Sequence, residues 1–75
     1  MVTNNYRQGF LIYDQAQDQI DIRLDTGGYY GGLHCGETMD VLIDKQWIPT
    51  RIEKGEYWYL VGVKTKVLQG LTVRK

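Results

Sequence analysis

Short runs of β-branched and aromatic residues recur about every 8 to 14 residues along this sequence, separated by segments rich in glycine or in Asp and Gln. The spacing that marks an amphipathic helix is nearly absent. Ile20, Ile22 and Leu24 alternate with polar residues, which is typical of a strand with one buried face. The sequence therefore predicts an all-β protein of about five to six strands, folded as a small SH3-like β-barrel or a strongly bent antiparallel sheet.

The strand-like runs also indicate hairpins. The first two runs are joined by the polar segment 14–17, and the third and fourth by a turn at residues 44–46. The glycine-dense segment 26–32 is predicted to be a flexible loop with positive φ angles, and residues 63–69 a loop or one short helical turn. The last strand is expected to pair with an early one. The predicted strands are residues 8–13, 18–24, 38–43, 47–53, 57–61 and 70–74.

The register between the fourth and fifth strands decides which side chains share a face. A three-residue loop at 54–56 pairs Glu53 with Tyr57 and separates an aliphatic face from one rich in aromatic and charged groups. A two-residue turn at 54–55 instead slips the pairing by one residue and turns Arg51 toward the core. We favour the first register, because it buries no arginine.

The chain has room for one domain, predicted to span residues 1–75. Its 43% hydrophobic and 24% charged residues are typical of a folded globular protein. The one cysteine, Cys35, has no partner for an internal disulfide and is predicted to be a small buried residue. No segment resembles a signal peptide or reaches the ~20 apolar residues of a membrane helix, so we expect a cytoplasmic protein.

Charge is divided unevenly along the chain, although the net charge is zero. Residues 1–44 carry two basic and seven acidic side chains, whereas residues 45–75 carry seven basic and two acidic ones. This division forms a basic patch if the two halves lie apart, and a mixed surface if their strands interleave. The zero net charge gives the protein no overall positive field to attract nucleic acid.

The side chains of common catalytic sites are scarce. The sequence has no serine, one histidine and one cysteine, which excludes a Ser-His-Asp triad. His34 and Cys35 are adjacent, and neighbours in an extended strand point to opposite faces, so we expect no catalytic thiolate–imidazole pair. No CxxC or HxxxH spacing supplies a metal site. Asp18 and Asp21 are interpreted as solvated carboxylates. We therefore expect a protein that is not an enzyme and holds no metal or cofactor.

An aromatic surface is the candidate binding site that the residues indicate. Aromatic rings beside arginine can stack on bases, or can line a groove for a proline-rich or extended peptide, as in SH3-type domains. The alternative is structural, because in so small a protein Trp and Tyr also supply bulk to the core. The candidate residues are Trp47, Arg51, Tyr57 and Tyr59 on one face of the sheet, with Tyr29 and Tyr30 in the glycine-rich loop.

Several segments carry a resemblance to a known family. They are GFLIY at 9–13, LHCGE at 33–37, WIPTRIE at 47–53, WYLVG at 58–62 and GLTVR at 70–74. The pattern resembles a family of small domains of unknown function found in Firmicutes, often on plasmids and other mobile elements. The resemblance implies a bacterial protein with a compact β-barrel-like fold and an accessory role in binding DNA, RNA or a regulator. It carries over no activity.

Three functions remain open at this point, and we favour the first because the net charge is zero. The first is a non-enzymatic module that binds a protein or peptide at the aromatic surface. The second is a nucleic-acid-binding accessory protein of a mobile element, using Lys64, Lys66, Arg74 and Lys75 with the aromatic face. The third is a homo-oligomeric assembly unit that buries an edge strand or aromatic patch between copies. We expect the protein to be either a monomer or a weak homodimer.

Overall fold

A computed structural model describes residues 6–75 of the chain. This part of the protein consists of six strands with connecting turns and loops, and contains no helix. In particular, none of these residues forms a helix of a length and apolarity suited to crossing a bilayer. The strands are β1 (Gln8–Asp14), β2 (Gln19–Leu24), β3 (Thr38–Ile43), β4 (Gln46–Lys54), β5 (Trp58–Leu60) and β6 (Thr72–Arg74).

The six strands form one antiparallel sheet in the order β2-β1-β6-β3-β4-β5. The predicted all-β class is therefore confirmed, as is the pairing of the last strand with an early one. That strand, β6, lies between β1 and β3, where Val73 pairs with Gly9 on one side and with Val41 on the other. The C-terminal strand thus joins the two hairpins into a single sheet.

One face of the sheet carries the core, and every strand contributes to it. The alternation expected for β2 is confirmed, since Ile20 and Ile22 are both buried. Among residues 6–75 the one buried polar side chain is Thr50, whose hydroxyl donates to the Val61 carbonyl oxygen at 2.7 Å, so its burial leaves no unpaired group. The core residues are Leu11, Ile20, Ile22, Leu33, Met39, Val41, Ile52, Leu60, Leu68 and Val73.

The sheet is strongly curled. Strands β2 and β5 stand at opposite ends of the strand order, so five strand spacings would hold them about 24 Å apart in a flat sheet. Instead Asp18, in the β1–β2 turn, contacts Trp58 of β5 directly. The strand pairings do not close the sheet into a barrel. The bent antiparallel sheet is therefore what the structure shows, and an SH3-like barrel stays a prediction.

The hairpin between β4 and β5 has a register that neither sequence alternative described. Glu53 pairs with Tyr59, two residues beyond the predicted partner, and the connecting loop is residues 55–57. Tyr57 therefore lies in the loop and not in a strand. Side chains alternate between the two faces of a strand, so a shift of two residues leaves each side chain on its predicted face. Ile52 and Leu60 lie on the inner face as expected, although they pair with each other there, whereas the predicted register pairs Ile52 with Trp58.

The glycine-dense segment runs along the outer edge of β2 and is hydrogen-bonded to that strand. It is therefore more ordered than the flexible loop that we predicted. The backbone N–H groups of Tyr30 and Leu33 donate to β2 carbonyls at 3.0 and 2.8 Å. The Asp21 carboxylate accepts from the N–H groups of Gly31 and Gly32 at 3.0 and 2.8 Å, and both glycines have positive φ. Asp21 is thus a structural residue, and not only the solvated carboxylate that we expected.

Candidate functional site

Two adjoining cavities, of about 590 and 540 Å³, lie along β5 and the loop that follows it. Both include Tyr57 and Trp58 in their walls, so they lie side by side. We call the two cavities together the β5 groove. The residues that define it here are Tyr13, Tyr57, Trp58, Lys64, Lys66 and Val67.

The hairpin wall of the β5 groove is aromatic. Trp58 is half-buried and packs against the core, where the neighbouring Leu60 is fully enclosed. Tyr57 lies at the turn and is 76% exposed, because the loop at residues 55–57 lifts it out of the sheet. The groove therefore presents a fixed indole beside a largely solvated phenol ring.

The opposite wall is the segment 61–71 that links β5 to β6. Leu68 anchors it in the core, and the Gly70 N–H donates to the Leu11 carbonyl oxygen at 2.8 Å. Val67, next to this anchor, is 71% exposed at the groove. This segment is a loop, so the loop alternative predicted for residues 63–69 is the correct one. An apolar side chain thus faces solvent on each side of the groove.

Asp18 organises the end of the groove where the β1–β2 turn meets the β4–β5 hairpin. The Trp58 indole N–H donates to the Asp18 backbone and carboxylate oxygens at 3.1 and 3.2 Å. The Tyr13 hydroxyl donates to the same carboxylate at 2.9 Å, and the Lys54 ammonium forms an ion pair with it. Sequence reasoning missed this role, because the partners on β4 and β5 lie 36 and 40 residues away.

These contacts shift three pKa values. The Lys54 ammonium, followed by the Tyr13 hydroxyl, holds the pKa of the Asp18 carboxyl below its ordinary value. The hydrogen bond to Asp18 in turn raises the pKa of the Lys54 ammonium and of the Tyr13 hydroxyl. The arrangement thus favours an ionised carboxylate, a charged lysine and a neutral tyrosine, which are the states present near neutral pH.

Replacing Asp18 by asparagine is expected to lower the stability of the protein in a pH-dependent way. The pKa of the Asp18 carboxyl is lower in the folded state than in the unfolded state. Its contribution to the free energy of unfolding is therefore present above the ordinary pKa of about 3.9, and it is lost as the pH falls through the pKa of the folded state. Urea unfolding of wild type and Asp18→Asn should show a gap at pH 6 that narrows at about pH 2.5.

Asp25→Asn is the matched control for this experiment. The Asp25 carboxylate forms no ion pair among residues 6–75, although its backbone N–H donates to the Gln8 carbonyl oxygen at 2.9 Å. The substitution should leave the unfolding midpoint close to that of wild type at pH 6. A gap for Asp18→Asn that stays constant down to pH 2.5 would show that its ionisation contributes nothing.

Trp47 belongs to a different part of the surface. It shares the outer face with Arg51 and Tyr59, but its ring is stacked against the Arg74 guanidinium, 4.3 Å from the ring centroid. The same guanidinium also lies 4.3 Å from the centroid of the Tyr6 ring, and its Nε donates to Asp40 at 3.0 Å. Trp47 and Arg74 therefore already bind each other within the domain.

Arg51 and Tyr59 also lie on the outer face, with Glu53 between them. The Arg51 side chain donates to Glu53 at 2.9 Å, and Glu53 is paired across the ladder with Tyr59. Tyr59 is 46% exposed and lies at the rim of the second cavity. Of the six residues predicted as a binding surface, the structure therefore brings Tyr57 and Tyr59 to the groove and leaves the others elsewhere.

Tyr29 and Tyr30 have different environments. Tyr29 is exposed at the β2 edge, with the Arg23 guanidinium 5.0 Å from its ring centroid. Tyr30 packs against the core and donates its hydroxyl to Glu37 at 2.6 Å, which raises the pKa of the Tyr30 hydroxyl. Lys75 lies over the Tyr30 ring at 5.5 Å. Tyr30 is thus held by contacts within the domain.

The basic residues of the nucleic-acid hypothesis are divided between two places. Lys64 and Lys66 line the β5 groove and form no ion pair among the residues that the structure describes. Arg74 pairs with Asp40, and Lys75 donates to the Thr38 carbonyl oxygen at 2.8 Å. Neither Arg74 nor Lys75 lines the β5 groove.

His34 and Cys35 are both exposed, so the prediction of a buried Cys35 is wrong. Cys35 lies in a turn with Gly36, and the buried position of this segment is filled by Leu33. The Nδ1 atom of His34 lies 3.3 Å from the Glu37 carboxylate. Residues 6–75 contain no group of three or more His, Cys, Asp or Glu side chains placed to hold a metal ion.

Comparison with known proteins supports this fold. The crystal structure of a protein from Ruminococcus gnavus, a structural-genomics target, is similar, with a TM-score of 0.84 and 51% sequence identity. The match covers 92% of this chain and all of the other. No curated protein matches the chain.

A family model matches almost the whole sequence. The model is described as Domain of unknown function (DUF5348), and the match spans residues 9–75. The predicted resemblance to a family of unknown function is confirmed to this extent, while its mobile-element setting stays a prediction. The match covers all six strands, except for the first residue of β1. The chain therefore belongs to the DUF5348 family.

Proposed function

We propose that this protein is a non-enzymatic binding module whose β5 groove receives an extended segment of a partner protein. The observation that carries the proposal is the groove itself, two adjoining cavities lined by aromatic rings of the β4–β5 hairpin and by the loop that follows β5. Tyr57 and Val67 are 76% and 71% exposed there, so a bound segment would remove apolar surface of both residues from water.

The groove is a better candidate than the outer face. On the outer face Trp47 is already stacked on Arg74, and Arg51 is paired with Glu53. A ligand would have to break these contacts before using the same side chains. In the groove the Trp58 ring is held in place by Asp18, so it is organised before any partner arrives, which lowers the entropic cost of binding.

The division of the basic residues favours a protein partner over nucleic acid. A nucleic-acid strand needs a continuous positive surface, and only Lys64 and Lys66 of the four predicted residues lie at the groove. Tryptophan fluorescence that is quenched by single-stranded DNA at low salt, and not at physiological salt, would favour the nucleic-acid alternative. Sedimentation as a dimer at micromolar concentration would favour the assembly alternative.

A random heptapeptide library displayed on phage tests the proposal. Wild-type protein should enrich a set of peptides, and Tyr57→Ala should bind them at least about tenfold more weakly, because a central aromatic residue of an interface carries a large share of its affinity. Tyr57 is 76% exposed, so its truncation should leave the fold intact. Selection followed by measurement of dissociation constants for wild type and variant gives this comparison.

Tyr29→Ala is the control, because Tyr29 is also an exposed tyrosine but lies at the β2 edge, outside the groove. This variant should bind the selected peptides as tightly as wild type does. Peptides that bind Tyr57→Ala and wild type equally, or a library that yields no enriched peptide, would overturn the proposed function.

A further inference from the structure

We propose that the segment received by the β5 groove is an acidic extended peptide that adds to the outer edge of β5 as a further strand. This inference rests on the proposed function and names the chemistry of the partner. It combines two observations, the backbone groups at the end of the sheet and the charge of the side chains beside them.

The backbone of β5 has a strand neighbour on one side only among residues 6–75, because β5 is last in the strand order. Backbone bonds from Gly55 N to Tyr57 O and from Val61 N to Arg51 O, both 3.1 Å, fix the phase of the ladder. In an antiparallel ladder, hydrogen-bonded residue pairs alternate with pairs that are not hydrogen-bonded. The backbone N–H and C=O groups of Glu53 and Tyr59 therefore hydrogen-bond to each other.

The same alternation turns the backbone groups of Trp58 and Leu60 away from β4. The Leu60 carbonyl oxygen accepts from the Val63 N–H at 3.1 Å. The N–H and C=O of Trp58 remain on the outer edge, without a hydrogen bond among the described residues, whereas Leu60 is buried and its N–H is enclosed. An incoming extended backbone can satisfy the two Trp58 groups, as in other cases of strand addition.

The side chains beside this edge select for negative charge. Lys64 and Lys66 line the groove without an ion pair in the described part of the chain, whereas the Lys54 ammonium is already paired with Asp18. Glu56 lines both cavities, and Asp18 lines only the first, where Lys54 already neutralises its charge. Two unpaired lysines against one glutamate leave a positive balance, which an Asp or Glu of the peptide would complement.

Strand geometry gives the spacing of the peptide residues. The three residues of β5 span about 10 Å, which matches a peptide core of about three residues. Alternate side chains of an added strand point to the same face as Trp58, and the others point outward. An apolar residue facing Trp58, next to an acidic residue near Lys64 and Lys66, therefore fits the groove.

The test uses peptides selected from the heptapeptide library on wild-type protein. These peptides should be enriched in Asp and Glu. The double variant Lys64→Glu/Lys66→Glu should bind them at least about tenfold more weakly than wild type does. Lys45→Glu, in the β3–β4 turn, is the control and should bind them as wild type does. N-methylation of successive peptide nitrogens should weaken binding at alternate positions only, because a strand uses every second N–H in one ladder. Amide exchange at Trp58 should slow on binding.

The outcomes separate this inference from the function on which it rests. Peptides that need Tyr57 but lack acidic residues, or that tolerate N-methylation at every position, would overturn strand addition by an acidic segment and leave the groove as a binding site. A library without any Tyr57-dependent peptide would overturn both.

Discussion

Gly9→Ala is expected to destabilise this protein by more than about 3 kcal/mol, although it adds a single methyl group. A Cβ at Gly9 would overlap the Arg23 carbonyl oxygen, and would lie 2.8 Å from the Arg23 carbonyl carbon and 2.9 Å from Ile22 Cγ2. Two of these three atoms belong to backbone that is held in the sheet, so no side-chain rotation relieves the overlap.

The close approach has a structural cause. Gly9 lies in β1 at the point where β2 pairs on one side and β6 on the other, and a glycine inside a strand often marks such a tight bend. A domain of this length has a total stability of roughly 4 to 11 kcal/mol, so the variant should be close to unfolding at room temperature. Its melting temperature should fall by more than about 12 °C.

Gly55→Ala is the matched control. A Cβ at Gly55 would lie 3.8 Å from the Tyr59 ring, an ordinary contact, and Gly55 is not among the glycines with positive φ. Its effect on stability should stay within about 0.5 kcal/mol. Equal melting temperatures for the Gly9 and Gly55 variants would contradict the tight packing of β1 against β2.

Leu60→Ala is expected to cost about 2 to 5 kcal/mol, because it removes a fully buried side chain and leaves a cavity behind. Leu60 is 1% exposed and pairs with Ile52, which is also fully buried. Together with Trp58, it fixes the three-residue strand β5 to the core. Urea unfolding followed by tryptophan fluorescence measures the loss.

Tyr59→Ala provides the comparison within the same strand. Tyr59 precedes Leu60 and points to the outer face, where it is 46% exposed, so its truncation should cost less than about 1 kcal/mol. If the two variants lost similar stability, the assignment of inner and outer faces in β5 would be wrong.

The alternation of apolar residues was sufficient to predict the strands and their faces. Ile20 and Ile22 carry the pattern in β2, and every predicted strand overlaps an observed one. The register at residues 55–57 was missed, because a three-residue loop can be placed at two positions that give the same faces. The face on which each side chain lies is therefore predictable from the sequence here, whereas the position of the turn is not.

The site was less predictable than the fold. Tyr57 was identified from its aromatic character, but Trp58 and Asp18 meet only because the sheet curls, and no local pattern encodes a contact across 40 residues. Trp47 looked equally suited to binding a partner. Its stacking on Arg74 depends on the placement of β6 beside β3, which is a property of the topology.

Two-dimensional ¹H–¹⁵N NMR of the wild-type protein with a selected peptide tests the central claim most directly. The account predicts that the largest shifts fall on the Trp58 indole N–H and on backbone amides of residues 57–59 and 63–67, which line the β5 groove. Shifts concentrated on the Trp47 indole and on Arg51, with the groove unchanged, would contradict it and place the binding site on the outer face.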